Sequence, residues 1–350
     1  MKSEILTTEA AILRILPAWR ELYRRAGTNL FSHPDFYIAW WKHLGKAAGW
    51  QWHVAVLWDE NRLVAITPLA VINKKGLRVL QWAGIDVLDY NETLTESPLH
   101  AHPVWHAVRH SKRYDFAIIK DVLYDAPCQS ELKKIARPLR KSRAFYIPLE
   151  WPDSEAWLKS LPYDRRKEYK RRLKQLQAMG TLQYEVIDKT PSCNAVTTLV
   201  TQKREWCRQQ ARRGVFDLRG IEDFLLEIAH IAASENCLHL SILRCGEEPI
   251  AAHLGFVHRG ALCWYAISYA QDWARFSPGR VMMYKGIAWA IDNGLKEFDL
   301  LRGGENYKYA LTESAKVLMD YSFGRGIKGK LAGWMQARKW AYEEDAEATV

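Results

Sequence analysis

The sequence predicts a mixed α/β fold built from two similar halves. Its 350 residues exceed the roughly 100–200 residues of a usual single domain. Apolar residues recur with helical spacing in some segments and with strand alternation in others, and the two halves show these segments in a similar order. With 48% hydrophobic and 26% charged residues, the chain has enough apolar surface for a core. This composition excludes a disordered or fibrous protein.

The second half gives the clearer pattern. Its predicted elements, in chain order, are a strand near 182–186, helices near 194–211 and 221–235, strands near 238–244, 249–258 and 261–268, a helix from 277 to 293, a strand at 296–301, a short helix, a strand at 317–323 and an amphipathic helix from 329. Gly246 and Pro249 separate two apolar runs, as in a hairpin. Pro278 and Gly294 mark the start and the end of the long helix.

The first half repeats this order loosely. Its predicted elements are helices near 9–24 and 35–47, strands near 52–58, 62–72 and 77–82, a helix near 98–110, a strand at 114–120, a helix near 129–137 and a strand at 144–149. No residue-level repeat is visible. The prediction of two pseudo-repeated copies of one α/β unit therefore rests on element order alone.

The predicted domains follow from this order and from the charge. They are an N-terminal half at 1–150, a basic helical connector at 151–180, a C-terminal half at 181–328 and a C-terminal helix or tail at 329–350. The net charge of +10 is concentrated in residues 133–174, which hold 14 Lys and Arg against 5 Asp and Glu. There, Asp164 is predicted to cap a helix with the apolar stripe Tyr169, Leu173 and Leu176. Such a surface attracts an anionic partner, although a basic run is more often a solvated face.

Several function classes lack a signal in the sequence. No stretch reaches the roughly 18 apolar residues of a membrane span, and the N-terminus lacks a signal-peptide pattern, so we expect a cytoplasmic protein. The 6 cysteines and 11 histidines form no metal-ligand motif, so no metal is expected. Of the 16 tryptophans, several crowd the first half. They fit either core packing or a platform that stacks sugars or bases.

The first candidate site is the helix start at Ser277, Pro278, Gly279 and Arg280. A helix N-terminus presents unpaired N–H groups and a partial positive charge, so it binds phosphate well. Gly279 has no side chain to block a close approach, and Arg280 adds a charge-assisted bond. An ordinary helix with a proline in its first turn is the simpler explanation of the same residues.

The second candidate site follows the strand predicted at 296–301. It combines a Gly-Gly turn with the ionisable or polar residues Asp299, Arg302, Glu305, Tyr307 and Lys308. In α/β folds, functional groups gather at the carboxyl ends of strands, because a rigid scaffold holds the loops there. A loop of solvated charges is the alternative.

Together, these two segments resemble the signature of bacterial acetyltransferases associated with cellulose and exopolysaccharide biosynthesis (CelD type). That family belongs to the GNAT superfamily and is related to the FemABX peptidyltransferases. The most specific matches are the Ser-Pro-Gly-Arg run at 277–280, the Ala-Trp-Ala-Ile run at 288–291 with Gly294, and the Tyr-Lys pair at 307–308. Further matches are the Phe-x-His-Pro-x-Phe run at 31–36 with Trp40, the segment from Gly84 to Asp89 and Tyr90, and the Pro-Ile-Ala run at 249–251. The resemblance spans residues 30–310.

The resemblance implies a tandem GNAT-like fold with acetyl-CoA or another acyl-CoA as co-substrate. The implied cofactor-binding residues are Ser277, Gly279, Arg280, Val281, Tyr269 and Ala270. Pantetheine would pair like an added strand between the splayed strands 261–268 and 296–301. The family's phosphate loop is only half matched, because Phe276 and Val281 stand at its first and last places. Gly304 also departs from the family, which usually has an acidic residue there.

For the chemistry, the resemblance implies a base for the ammonium proton, an acid for the departing thiolate and donors for the oxyanion. The implied catalytic residues are Glu305 as base and Tyr307 as acid, together with Lys308 and Asp299. Backbone N–H groups near Ala270 are the expected oxyanion donors, and Asp299 has the alternative role of ordering the turn. The implied substrate-binding residues are Arg302, Asp89, Tyr90 and His33.

The favoured function is an acyl-CoA-dependent N-acyltransferase that acts on a small amine, such as an amino sugar or another polysaccharide precursor. O-acylation remains open. One alternative is a Fem-like peptidyltransferase that takes an aminoacyl group from charged tRNA, since the basic segment suits an RNA backbone; the sequence lacks the long helical arm of dedicated members. Another is a non-catalytic nucleic-acid or regulatory binding module, for which no recognised motif is present.

Overall fold

The computed structural model describes residues 1–211, 214–303, 306–329, 331–333 and 335. The chain forms two compact units: the first comprises Met1–Arg143 and Lys316–Val350, and the second comprises Ala144–Ala315. These limits differ from the predicted boundaries at 150, 180 and 328. The segment expected to be a connector lies within the second unit, and the last strand lies almost entirely in the first.

The strands of the described residues are β1 Lys2–Leu6, β2 Gln51–Trp52, β3 Val54–Asp59, β4 Arg62–Thr67, β5 Leu69–Lys74, β6 Leu77–Trp82, β7 Leu94–Thr95, β8 Phe116–Leu123, β9 Arg137–Pro148, β10 Leu182–Ile187, β11 Leu238–Cys245, β12 Glu248–His258, β13 Ala261–Tyr269, β14 Glu297–Arg302 and β15 Ala315–Gly324.

The α-helices of the same residues are α1 Glu9–Ala26, α2 Pro34–Trp40, α3 Ala101–His110, α4 Gln129–Ile135, α5 Ser154–Ser160, α6 Tyr163–Met179, α7 Cys193–Gln209, α8 Ile221–Ser234, α9 Pro278–Asp292 and α10 Asn306–Leu311. A π-helical turn at Trp41–Gly45 continues α2, and a 3₁₀ turn at Gln271–Phe276 precedes α9. Every helix within the described residues is too short or too polar to span a bilayer.

A mixed sheet forms the centre of the second unit. Its order is β10, β11, β12, β13 and β14, followed by residues 144–148 of β9. Neighbouring strands are antiparallel except β13 and β14, which run parallel. A parallel pair needs a crossover connection, which α9 supplies. The chain therefore passes from the end of β13 through α9 before it returns to the sheet.

The helices of the basic segment are part of this unit's core. Trp157 of α5 and Tyr169 and Leu176 of α6 are buried in it, and Leu173 packs against it. The apolar stripe predicted for α6 is therefore confirmed. The predicted cap at Asp164 is wrong, because α6 begins one residue earlier with Pro162 at the N-cap position. Burial of this stripe makes α6 a structural part of the second unit.

Two sheets form the first unit. One is antiparallel, with the order β1, β3, β4 and β7. The other contains β2, β5, β6, β8 and β15, in which β6 and β8 are parallel. Aromatic side chains fill the core, and the largest fully buried ones include Trp19, Trp82 and Trp105. These three tryptophans serve packing, as the simpler of the two interpretations expects.

The order of elements agrees with the sequence prediction, and the mixed α/β fold is confirmed. The predicted strand 62–72 is divided into β4 and β5 at Pro68, which has no N–H for a strand partner. The predicted strand 52–58 is likewise divided into β2 and β3. Strand β1 is an addition to the prediction, because only Leu6 of its residues is buried and no alternation shows. The helix predicted from 329 lies mostly outside the described residues.

Each half of the chain has the order β-α-α-β-β-β-α-β-α-β. In this comparison β2 and β3 count as one strand, β4 and β5 count as one strand, and the short β7 is omitted. The repeat runs from β1 to β9 and again from β10 to β15. The predicted pseudo-repeat is therefore present in the order of elements, and β1 supplies the strand that the sequence pattern of the first half lacks.

Two buried histidines lie between the sheet of the second unit and α9. His253 of β12 stacks on Trp264 with ring centroids 3.3 Å apart. The ring of His239 in β11 lies 4.4 Å from that of Trp289 in α9. Burial lowers the pKa of His239 to about 4 and that of His253 well below its usual value. Both are neutral near pH 7, because the apolar interior disfavours the charged form.

We expect the protein to lose stability as the pH falls from about 6.5, the usual histidine pKa, to about 4, the pKa of folded His239. In this range the unfolded chain binds protons that folded His239 does not bind, so acid favours unfolding by about 3 kcal/mol. Replacement His239→Phe should therefore flatten the fall in melting temperature with pH, measured by calorimetry. The exposed His230 of α8 provides the control His230→Phe. An equal acid-induced fall in the wild type and in the His239 variant would contradict the prediction.

Candidate active site

The start of α9 leaves one backbone donor open. Ser277 adopts the left-handed conformation, with φ 54° and ψ 51°, and Pro278 occupies the first turn. Proline has no N–H, and the N–H groups of Arg280 and Val281 both donate to the Ser277 carbonyl, at 3.1 and 3.2 Å. Within the described residues, the Gly279 N–H has no acceptor. This donor and the partial positive charge of the helix start favour an anion.

Gly279 also allows the helix start to approach the end of β13. A Cβ atom at Gly279 would lie 3.3 Å from Cδ1 of Tyr269 and 3.9 Å from Cδ1 of Ile267. The first of these distances is shorter than an ordinary van der Waals contact. Tyr269 and Gly279, both predicted to bind the cofactor, therefore lie next to each other.

Strands β13 and β14 diverge soon after they begin. They pair only at Ala261 with Glu297, Leu262 with Phe298 and Cys263 with Asp299. An irregularity in the register of β12 and β13 follows directly after Cys263. From Ala266 to Tyr269, β13 has no ladder partner in β14 among the described residues. The splay that the resemblance implies is thus present, and an extended ligand can pair with this edge of β13.

Asp299 and Lys308 hold the end of β14 in shape. Leu301 has a positive φ of 59°, and its N–H donates to Oδ1 of Asp299 at 2.8 Å. The Lys308 ammonium donates to the carbonyl oxygens of Leu301 at 3.3 Å and Arg302 at 2.8 Å. Only 1% of Asp299 and 2% of Lys308 is exposed. Both charges therefore order the turn, which is the alternative role considered for Asp299.

The other predicted catalytic residues are Tyr307 and Glu305. Tyr307 is in α10, next to Lys308, and is 39% exposed. As a residue, Tyr307 is therefore more exposed than Asp299 or Lys308. Glu305 and Gly304 lie outside the described residues. The structure thus brings Asp299, Arg302 and Lys308 together and places Tyr307 beside them.

The Ala270 N–H is already in use. It donates to the carbonyl oxygen of Ile250 at 3.0 Å, which continues the pairing of β12 and β13. The Ala270 N–H itself is therefore occupied, and the prediction that N–H groups near Ala270 stabilise an oxyanion stays a prediction.

A carboxylate of the basic helix α6 reaches the start of α9. Oε2 of Glu168 lies 2.8 Å from Nη1 of Arg280, and Oε1 lies 3.6 Å from Nη2 of Arg172. Arg172 also donates to the carbonyl of Arg275 in the turn before α9. The sequence analysis missed Glu168, although it is the only acidic residue between Arg165 and Lys174. A single acidic residue within a basic run was the feature of the sequence that could have indicated it.

Two tyrosines fix α6 against α9 next to this ion pair. The rings of Tyr169 and Tyr284 have centroids 4.9 Å apart. Burial raises the pKa of Tyr169 to about 12, and burial also raises the pKa of Tyr284. Both phenols are therefore neutral and act as packing groups. They keep Glu168 within reach of Arg280.

The residues predicted in the first unit form a separate cluster there. His33 is buried at the start of α2, where its Nδ1 accepts from the Asp35 N–H at 3.2 Å. Tyr90 has a positive φ of 51°, and its ring contacts Phe31 edge-on at 6.1 Å. Asp89 is also buried. The structure thus brings the segments around His33 and Asp89 into one neighbourhood of the first unit.

Glu92 joins these two segments, and the sequence analysis missed it. Its Oε1 accepts hydrogen bonds from Thr28, from Asn29 at 2.6 Å and from Ser32 at 2.8 Å. A carboxylate that is 3% exposed requires such donors, because burial of an unpaired charge is costly. An acidic residue within an otherwise buried stretch was the signal for it.

No group of three or more His, Cys, Asp or Glu side chains in the described part of the chain is arranged to hold a metal ion.

Residues 164–309 match the family model described as an acetyltransferase (GNAT) domain. No curated protein matches the sequence. The domain match begins in α6 and includes the open edge of β13, the start of α9 and the turn after β14.

Solved structures show the same fold. FemX has a TM-score of 0.58 and 8% identity, with 93% of this chain and 98% of that chain covered. L-PGS from Bacillus licheniformis has a TM-score of 0.57 and 11% identity, with coverage of 92% and 96%. The C-terminal domain of a putative lysylphosphatidylglycerol synthetase from Agrobacterium fabrum has a TM-score of 0.55 and 11% identity, with coverage of 93% and 96%. The family-model match identifies residues 164–309 as an acetyltransferase (GNAT) domain, and this domain supports an acyltransferase activity for the protein.

Proposed function

We propose that the protein transfers an acyl group, in the first place acetyl, from acyl-CoA to the amine of a small cytoplasmic acceptor. An amino sugar or another polysaccharide precursor is the proposed acceptor class, from the resemblance to the CelD-type enzymes. The observation that carries the proposal is the open edge of β13 beside the free Gly279 N–H. The edge of β13 can pair with an extended chain that contains amide groups. The Gly279 N–H can bind an anion.

The donor fits these two elements by its chemistry. The pyrophosphate of CoA is proposed to bind the Gly279 N–H and the Arg280 guanidinium, since a charged donor and a helix start both stabilise phosphate oxygens. The amide groups of pantetheine are proposed to pair with the edge of β13 from Ala266 to Tyr269. This arrangement directs the thioester toward the turn after β14.

In the proposed reaction, the acceptor nitrogen forms a bond to the thioester carbonyl carbon and the carbon–sulfur bond breaks. Tyr307 gives its proton to the thiolate, and Glu305, which lies outside the described residues, takes the proton of the amine. Asp299 and Lys308 hold the backbone of Leu301 and Arg302, which precedes Tyr307 in the chain. Unchanged turnover of Glu305→Gln at saturating acyl-CoA would remove Glu305 from this scheme.

Calorimetric titration of the full chain with acetyl-CoA tests the proposal directly. We expect saturable binding, followed by acetyl transfer to glucosamine or a related amine. Absence of binding by acetyl-CoA and by longer acyl-CoA would contradict the proposed donor.

His33, Asp89 and Tyr90 remain proposed acceptor residues, and their alanine variants should raise the KM for the amine and leave the KM for acetyl-CoA unchanged.

A second candidate is transfer of an aminoacyl group from charged tRNA. The observation that favours it is a stripe on α6 formed by Lys167, Lys170, Arg171 and Lys174, all of which are exposed. Residues at this spacing share one helix face, and such a face can follow a phosphate backbone. Binding of charged tRNA that weakens steeply with salt, without binding of acyl-CoA, would favour this function.

A side chain at residue 279 should weaken donor binding. Replacement Gly279→Val places methyl groups against Tyr269 and over the open N–H, so we expect the KM for acetyl-CoA to rise by about tenfold or more, equivalent to about 1.4 kcal/mol, with a smaller change in kcat. Steady-state kinetics measure both constants. Asn293→Val, at the other end of α9, is the control, because Asn293 is exposed and has an ordinary φ of −93°. An equal rise in the control would show a general effect on α9.

Removal of the Glu168 charge should strengthen donor binding. In the free protein this carboxylate occupies Arg280, so a phosphate must compete with it. Since an exposed ion pair contributes up to about 1 kcal/mol, Glu168→Gln should lower the Kd for acetyl-CoA by about fivefold, measured by calorimetry. The matched control is Glu155→Gln, which breaks an exposed pair with Lys159 in α5. Weaker binding by Glu168→Gln would mean that the carboxylate orients Arg280 for the ligand.

Loss of the Tyr307 hydroxyl should slow the chemical step. Tyr307→Phe removes the proposed acid, for which a loss of about 10²–10⁴ in kcat is typical, whereas the Kd for acetyl-CoA should stay within about twofold. Tyr309→Phe is a close control, because Tyr309 lies in the same helix, is 54% exposed and packs on Phe145. Equal kcat values for wild type and Tyr307→Phe would exclude Tyr307 as the acid.

A further inference from the structure

A cavity in the first unit is walled by tryptophans. It has a volume of about 170 Å³, and its walls include Trp41, Trp50 and Trp52. A second cavity of about 120 Å³ shares Trp41, Trp52 and Glu9 with it. Trp41 and Trp52 stack on each other, with centroids 4.8 Å apart and an angle of 29°. Because Trp41 and Trp52 stack on each other, a flat ring cannot insert between the two indoles. Only their edges and outer faces line the two cavities.

The larger cavity contains buried polar groups that lack partners. His53 is 0% exposed and lines the cavity, and within the described residues neither of its ring nitrogens has a hydrogen-bond partner. The same holds for the indole Nε1 of Trp52, which is 2% exposed as a residue. Buried donors and acceptors in folded proteins are normally paired, so each exception requires an explanation.

The protonation of His53 defines what it can bind. Burial, together with the positive charge of Arg113, lowers the pKa of His53 to about 4. The ring is therefore neutral near pH 7, with one nitrogen that donates and one that accepts. A hydroxyl group can do both in return, whereas a carbonyl or a phosphate oxygen can only accept.

Charged side chains complete the lining. Glu9 has a lowered pKa, mainly because Lys46 donates to it at 3.0 Å, so it is an ionised acceptor. Arg113, which is exposed, supplies donors in the same cavity. A ligand with several hydroxyl groups can satisfy Glu9, Arg113 and His53 together. An anion would meet the Glu9 carboxylate, and an apolar molecule would leave His53 unpaired.

We propose that this cavity is a binding site for a pyranose sugar, with the ring packed on the indoles of Trp41 and Trp50 and with its hydroxyl groups bonded to His53, Glu9 and Arg113. Sugars present apolar C–H faces to aromatic rings and hydroxyl groups at their rims, which matches this mixed lining. The second cavity, on the shared wall of Trp41 and Trp52, extends the site toward a further sugar ring. The site uses residues of the first unit alone and does not depend on the proposed acyl donor.

The test is calorimetric titration of the full chain with glucose, N-acetylglucosamine and cellobiose, with adenosine as a flat aromatic probe. We expect saturable binding of at least one of the sugars. His53→Phe should weaken that binding by at least tenfold without lowering the melting temperature, because it removes unpaired nitrogens and preserves the ring shape. Trp58→Phe is the control, since Trp58 lies in β3 and donates to Glu4 at 3.0 Å.

If His53→Phe does not fold, Arg113→Gln replaces it, because this exposed side chain is not required for packing. Absence of binding by every sugar would overturn the proposal. Equal sugar affinity in wild type, His53→Phe and Arg113→Gln would overturn the location of the site. Binding of adenosine in place of the sugars would overturn the ligand class. These outcomes are separate from acetyl-CoA binding, which reports on the second unit.

Discussion

The early divergence of β13 and β14 is the constraint on which the arrangement of the second unit's candidate site depends. Buried backbone groups need hydrogen-bond partners, and a strand that leaves its neighbour must find them elsewhere. At the end of β14, the Asp299 carboxylate and the Lys308 ammonium bond to the backbone of Leu301 and Arg302. These two buried side chains thus provide partners where the pairing of β14 with β9 is irregular, between Asp299 and Arg302.

The same unit balances its positive charge locally at the start of α9. Glu168 engages Arg280 and Arg172, while the outward cations of α6 remain exposed. Helix α6 therefore has three faces with different roles: an apolar stripe in the core, one carboxylate at the start of α9, and a basic outer surface. The helix start alone would attract any anion. Because Glu168 already pairs with Arg280, an anionic ligand must compete with the Glu168 carboxylate for the Arg280 guanidinium.

The first unit shows two ways of burying polar side chains. Glu92 accepts hydrogen bonds from Thr28, Asn29 and Ser32, so it joins two segments of the chain and needs no ligand. His53 is buried without such partners among the described residues. A buried polar group whose hydrogen bonds are all made within the protein stabilises the structure. A buried polar group without partners beside a cavity can form hydrogen bonds with a ligand. This contrast distinguishes the structural carboxylate from the proposed sugar site.

The sequence by itself determined the order of helices and strands, the start of α9 at Pro278 and the apolar stripe of α6, because periodicity and helix-start chemistry are local properties of the chain. It could not determine that α6 is a core helix, that the Ala270 N–H is already bonded, or that Asp299 holds the Leu301 backbone. It also could not determine which side chains Glu168 and Glu92 contact, or which residues line the tryptophan cavity. These features depend on contacts between residues distant in the sequence, and only the tertiary structure decides which polar groups obtain partners and which remain open.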